Sequence, residues 1–236
     1  MLRMRLAAPA AAALALSFLL VSDTSAQSET SRAVADGGIS VTGWTGVVDA
    51  REAAEGLTLQ NARLASDAGV LHVTTGPAIT YWNPENAASG NYTVSATFTE
   101  AEYMSLNTHP HPYGIVIAGN GMGTAAQSYL YCAAYGNGSF IVRGFGPEPF
   151  QMNGRRAEPN DAVNKAAGEG QPVTQQIALS VRDGKVECAI NGTVVASYDR
   201  AAVVADGKLT STDGTYGVRF AHNTSATVSN LSVTKH

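Results

Sequence analysis

Basic charge is scarce in this chain: 15 Lys and Arg stand against 19 Asp and Glu over 236 residues, a formal charge of −4. Nucleic-acid binders need a basic stripe to neutralise phosphates, and docking on anionic lipid needs one too. Neither partner is expected. Cysteine is nearly absent, with Cys132 and Cys188 alone. Helical periodicity is almost missing, and no apolar run after residue 21 approaches the ~20 residues a bilayer span requires. No serine elbow, phosphate loop, dinucleotide fingerprint or H-E-x-x-H string occurs, which leaves no ready-made catalytic motif or cofactor site.

What is present begins with a leader. Arg3 and Arg5 precede an apolar and small-residue run from Leu6 to Val21, and Thr24-Ser25-Ala26 follows as a small-residue cleavage site. Residues 1–26 therefore read as an export signal, the alternative being an uncut anchor. The mature chain is expected to be exported, periplasmic or extracellular, with no membrane attachment after cleavage. Setting aside Arg3, Arg5 and Asp23 moves the formal charge from −4 to −5. Residues 27–37 read as a flexible leader, and residues 38–236 as one β domain.

Strand patterning fills that domain. Tyr113 to Phe145 reads as three strands, YGIVIAG, QSYLYCAAY and SFIVRGF, with a hairpin signal at Gly136-Asn137-Gly138. The middle strand sets Tyr129, Tyr131 and Tyr135 on one face against Leu130, Cys132 and Ala134 on the other. That contrast predicts one buried face and one aromatic face open to contact. NYTVSATFT (91–99) alternates with a period of two. GVLHVTT (69–75), AITYW (78–82), three strands within 173–198 turning at Asp183-Gly184 and Asn191-Gly192, and two strands within 215–235 complete the pattern. Residues 146–171 break it with prolines, glycines and clustered charges. A connection of that length is usually functional or mobile, and residues 161–167 have room for one helical turn.

Cys132 and Cys188 both fall on apolar strand faces, and an exported chain meets an oxidising compartment. They read as a disulfide, the alternative being two buried thiols.

Several pieces resemble the concanavalin A-like lectin and glucanase superfamily, nearest to bacterial secreted laminin-G-like or 3-keto-disaccharide hydrolase domains. They are Gly43-Trp44, Gly69–Val73, Gly138–Val142, Val186–Gly192, Gly214–Phe220 and Val228–Thr234. The resemblance implies an all-β, two-sheet antiparallel jelly-roll sandwich of 11–14 strands. It departs from the retaining glucanases, whose E-x-D-x-x-E string places paired carboxylates on one strand face. Here only Glu100 and Glu102 approach that arrangement.

The candidate ligand surface is the tyrosine row. Tyr129, Tyr131 and Tyr135 offer flat stacking area and hydroxyls suited to sugar rings, with Arg143 and Arg219 expected on the same wet surface. His109-Pro-His111-Pro112, just before Tyr113, reads as a stiff polar loop at the rim of such a site, which adds His109, His111 and Tyr113 to the candidate ligand contacts. A zinc site needs three or four ligands, and His72 and His222 lie far along the chain, where only folding would bring them near. No metal site is therefore expected, and Asp67, Asp183, Asp206 and Asp213 read as turn residues rather than a calcium loop. The sequence points first to an exported module binding carbohydrate or cell-envelope glycan. A second reading is a glycoside hydrolase of the 3-keto-disaccharide type working through Glu100, Glu102, His109 or His111. A third is an interaction domain with no small ligand.

Overall fold

The computed structural model describes residues 29–236; the expected export signal, residues 1–26, lies outside the described residues. The strands run β1 (Gly38–Ile39), β2 (Thr45–Val48), β3 (Ala62–Asp67), β4 (Val70–Thr75), β5 (Ile79–Ala88), β6 (Tyr92–Glu100), β7 (Tyr113–Asn120) and β8 (Ser128–Tyr135). They continue as β9 (Ser139–Phe145), β10 (Pro149–Gln151), β11 (Glu158–Pro159), β12 (Val173–Arg182), β13 (Lys185–Ile190), β14 (Thr193–Asp199), β15 (Gly214–Phe220) and β16 (Ser225–Lys235). Among the described residues two short α-helices, α1 (Ala50–Ala54) and α2 (Arg200–Val203), and one 3-10 helix, Leu59–Asn61, interrupt them. None is long and apolar enough to cross a membrane.

The strands form two sheets. The first runs β1-β3-β4-β16-β6-β12-β13-β14; the second runs β10-β9-β8-β7-β15-β5-β2, with β11 paired to β9. Every pairing is antiparallel except β1 with β3. Strand count exceeds the expectation because β1, β10 and β11 are two or three residues long, too short for alternation to show.

Period-two patterning decides which side of each sheet faces the core. On β6, Tyr92, Val94, Ala96 and Phe98 are buried while Thr93, Ser95, Thr97 and Thr99 are half-exposed. On β8, Leu130, Cys132 and Ala134 join the core between the sheets, as expected. Phe98 stacks on Tyr113 with ring centroids 5.5 Å apart, and Phe220 lies 6.0 Å from Phe98. The turns follow the glycine signals. Asp183 and Gly184 (φ 51° and 76°) and Asn191 and Gly192 (φ 50° and 83°) adopt the paired positive φ of tight hairpins.

Cys132 on β8 and Cys188 on β13 are disulfide-bonded, with Cα atoms 6.1 Å apart, so the bond ties one sheet to the other. Both side chains are buried within the core.

The segment 146–171 forms no helical turn. Its prolines and glycines disfavour one, and its backbone groups find partners elsewhere. β10 and β11 pair with β9, Asn160 donates its amide to the Gly138 carbonyl (3.1 Å), and Ala166 donates to that of Gly136 (2.8 Å). Asn164 exchanges hydrogen bonds with Gln175, a fully buried side chain, and Val163 plugs into the core. The leader from Glu29 to Gly37 has no helix or strand. It is hydrogen-bonded to the body through Glu29, Ser31 and Arg32 and through the Thr30 carbonyl.

Candidate functional site: a groove on the outer face of the second sheet

The outer face of the first sheet is polar, but that of the second carries its own apolar cluster. Val116, Tyr129, Tyr131, Ala133 and Ile141 pack there against Tyr135, Phe145 and Met122. Strands β7 to β9 are thus buried on both faces, which reads in sequence as a nearly continuous apolar run. This corrects the expectation of an open tyrosine surface. Tyr129 is fully enclosed and Tyr131 is 7% exposed, while Tyr135 is half-buried. Phe145, the cross-strand partner of Tyr129, brings its ring to 4.9 Å from it. Burial pushes the Tyr129 hydroxyl up to about 12, so it serves as a neutral hydrogen-bonding group.

One cation organises this face. Arg219 on β15 pairs with Gly114 on β7, so no side chain stands between it and β8. Its guanidinium lies 5.0 Å from the Tyr131 ring and 5.1 Å from the Phe145 ring, a cation–π arrangement. It donates to both Asp49 oxygens (2.7 and 2.5 Å), to the Thr80 hydroxyl (3.0 Å) and to the Tyr129 hydroxyl (3.1 Å). Burial opposes its charge, but the Asp49 carboxylate beside it holds the guanidinium well above its ordinary range. Arg219 is therefore a buried rivet rather than the free surface donor the sequence suggested.

Arg143, opposite Tyr131 on β9, keeps more freedom. One of its terminal nitrogens donates to the Arg155 carbonyl (2.9 Å), and its Nε is buried with no hydrogen-bond partner among the described residues.

Three adjoining depressions make a groove over this face. The central one, about 290 Å3, lies between the His109–Pro112 loop, Tyr131, Tyr135 and Arg143. A second of about 250 Å3 continues past Ala78 and His222 to Asp49, Glu52 and Glu29. A third, also about 250 Å3, extends over Phe145 and Phe150. Each approaches the roughly 300 Å3 lower bound of small-ligand sites.

Where the first two meet, folding gathers three histidines and a carboxylate. His109 and His111 sit in the β6–β7 connection, His222 in the β15–β16 turn, and Glu29 in the leader. One ligand-capable atom from each lies within 4.8 Å of the others. His111 Nδ1 is 2.5 Å from the His222 carbonyl oxygen. A carbonyl only accepts, so Nδ1 carries the proton and Nε2 presents a lone pair. That Nε2 lies 2.9 Å from His109 Nε2 and 3.8 Å from Glu29 Oε2. Burial, with His222 nearby, pushes His111 down to about 4, and burial lowers His222 as well, so both rings are neutral at neutral pH. Burial raises the Glu29 carboxyl, but hydrogen bonding from Thr108 and the nearby histidines bring it below its ordinary value.

The remaining sequence candidates lie elsewhere. Tyr113 is fully buried in the core between the sheets, away from the groove. Glu100 ends β6 on its core-facing side, 3% exposed, and Glu102 lies beyond the strand and is exposed. The two do not share a strand face. His72 is exposed on β4 in the first sheet. Asp49, Thr80, Glu29 and Glu52 were missed, because each is a single polar residue with no motif around it. Phe145 was legible: it shares the parity of Arg143 on β9.

No protein-family model and no curated protein matches this chain. Among solved structures, it is similar to the carbohydrate binding module CBM66 from Bacillus subtilis, at 8% identity and TM-score 0.50, covering 83% of this chain and 97% of that one. It is also similar to a Bacillus subtilis protein of unknown function with a galectin-like fold (15% identity, TM-score 0.49, 81% and 89% covered). A third is a putative glycosyl hydrolase from Parabacteroides distasonis (14% identity, TM-score 0.45, 82% and 99% covered). At such identities a likeness speaks for the fold alone, and the fold is an all-β, two-sheet jelly-roll sandwich.

Proposed function

We propose that the protein is an exported carbohydrate-binding module whose ligand lies in the groove on the second sheet. The observation that carries this reading is the groove's construction. An aromatic floor of Tyr131 and Phe145 is locked by the Arg219–Asp49 pair, and Arg143 beside it has a buried donor without a partner among the described residues. Aromatic area with a few fixed polar groups is what recognition of a sugar ring requires. Tyr135 and Arg143 make the direct contacts; Tyr129 and Arg219 hold the floor. That the carbohydrate binding module CBM66 shares the fold supports the reading, and the disulfide suits an oxidising, extracytoplasmic compartment.

The test is a glycan array followed by affinity electrophoresis with the wild type, Tyr135→Ala and Arg143→Ala. Wild-type binding, weakened at least tenfold in both variants, supports the reading. A wild type that retains no glycan, or variants that bind as well as it does, would overturn it.

A second reading rests on one observation. Glu100 and Glu102 are lost to the enzyme hypothesis, but His–carboxylate pairs do stand at the groove's end, with His109 and His111 each 3.8 Å from Glu29 and His222 3.8 Å from Glu52. An acid–base group there would act on a bound sugar. Chromatography of oligosaccharides incubated with the wild type and with His109→Ala distinguishes it, since a pure binding module leaves them unchanged.

A further inference from the structure

We propose that Glu29, His109, His111 and His222 form a binding site for a divalent transition-metal ion of the zinc class. The donor set is three imidazoles and one carboxylate, the nitrogen-rich mixture that zinc accepts in tetrahedral geometry. The four residues come from three separate parts of the chain, the leader and two inter-strand connections, and converge at one point on the groove.

The convergence alone would be weak, but two further observations point to a missing partner. His222 Nε2 and Glu29 Oε2 are both buried, and among the described residues neither has a hydrogen-bond partner. Buried polar atoms are ordinarily satisfied, and one shared ion would satisfy both. The charge balance agrees. Among the described residues, no Lys or Arg lies within ion-pair distance of Glu29 or Glu52. Asp49, which lines the same depression, is already neutralised by Arg219. The cluster's Glu29 and the neighbouring Glu52 are thus two carboxylates that no Lys or Arg among the described residues offsets.

The groups behind the ligands are arranged as metal sites require. The His222 carbonyl fixes the His111 tautomer and turns Nε2 inward. Glu52 lies 3.8 Å from His222 Nδ1, while its own oxygens accept from Ser31 (3.1 Å) and from the Ala78 amide (2.7 Å). The Thr108 amide donates to Glu29 Oε1 at 2.7 Å, leaving Oε2 for the cluster. Metal–nitrogen bonds of roughly 2.0–2.1 Å set tetrahedral donors about 3.3 Å apart, so the 3.8 Å separations from Glu29 must close while the 2.9 Å contact between the two Nε2 atoms opens. The His109 side chain, 55% exposed, is free to make most of that movement.

This inference does not depend on saccharide binding, and its test is separate. Metal-stripped full-length mature chain is titrated with Zn2+ by calorimetry, and Co2+ is added in parallel as an optical probe. The expected result is one ion per chain with micromolar or tighter affinity, and the intense visible absorption of tetrahedral Co2+. His109→Ala and Glu29→Gln should each weaken Zn2+ at least tenfold and bleach the Co2+ bands, while His72→Ala, on the opposite sheet, changes neither. His109 and Glu29 are not core residues, so unchanged circular dichroism will show that these variants are folded. Absence of Zn2+ binding by the wild type would overturn the proposal. So would full affinity in a His109→Ala/Glu29→Gln double variant.

Discussion

Asp49 and Arg219, 170 residues apart, form a two-pronged ion pair on the outer face of the second sheet, with side chains 24% and 10% exposed. Breaking such a pair from one side strands a buried charge, at a cost of about 3–5 kcal/mol. Asp49→Ala should therefore lower stability by roughly 3 kcal/mol, toward the low end because Asp49 keeps some contact with water. The double variant Asp49→Ala/Arg219→Met should recover much of the loss, because Thr80 and Tyr129 still bond each other at 3.0 Å. Denaturant midpoints of the two variants check this; a harmless single variant would refute it.

Glu100 gives the protein an unusual pH response. Burial raises its carboxyl to about 7, against a small opposing contribution from the Met104 amide, and its Oε2 has no partner among the described residues. The unfolded chain releases this proton near 4.5 and the folded chain near 7, so the unfolded state binds fewer protons between them. The contribution is complete below pH 4.5 and is lost as pH rises through 7, by up to on the order of 3 kcal/mol. Comparing wild type with Glu100→Gln across that window isolates this residue from other titrating groups. The difference should shrink the wild type's relative stability as pH rises; parallel curves would contradict it.

The bond between Cys132 and Cys188 closes a loop with a sequence separation of 56. On the chain-entropy account, removing it costs about 4 kcal/mol. A Cys132→Ala/Cys188→Ala variant should melt roughly 10 °C lower, given about 2–4 °C per kcal/mol for a domain of this size. Scanning calorimetry settles it, and a melting point within 2 °C of wild type would show that the bond contributes little.

Ala68 carries a φ of 46° ahead of Gly69 at 81°, so an alanine occupies the first position of a tight hairpin between β3 and β4. It is exposed, and left-handed backbone costs a β-carbon residue about 1 kcal/mol. Ala68→Asn should stabilise the protein by about 0.5–1 kcal/mol. Equilibrium unfolding in urea will show an upward midpoint shift, or a downward one if the strain is not real.

The strands around Tyr113–Phe145 were readable because alternation and glycine turns are local. So were the hairpins at Asp183-Gly184 and Asn191-Gly192, whose residue types suit positive φ, and the two cysteines, which lie on apolar faces. The tyrosine face was placed on the correct side of β8 but judged too open. What covers it is Phe145, Arg219 and the loops over the second sheet, and the cover depends on contacts between distant residues. The histidine cluster shows the same limit more sharply. His109 and His111 stood out as a pair, but His222 meets His111 across 111 residues and Glu29 meets Thr108 across 79. No local pattern encodes such a meeting; it exists only once both sheets are assembled.

β15 and β16 come last in the chain yet lie inside their sheets, β16 between β4 and β6 and β15 between β5 and β7. Without them each sheet falls into two unconnected pieces. The earlier strands therefore have hairpins to form but no sandwich to complete, and long-range pairings of this kind form slowly. Completion of both sheets thus rests on pairings that β15 and β16 alone supply, and a truncation that removed them would disconnect both layers of the sandwich at once.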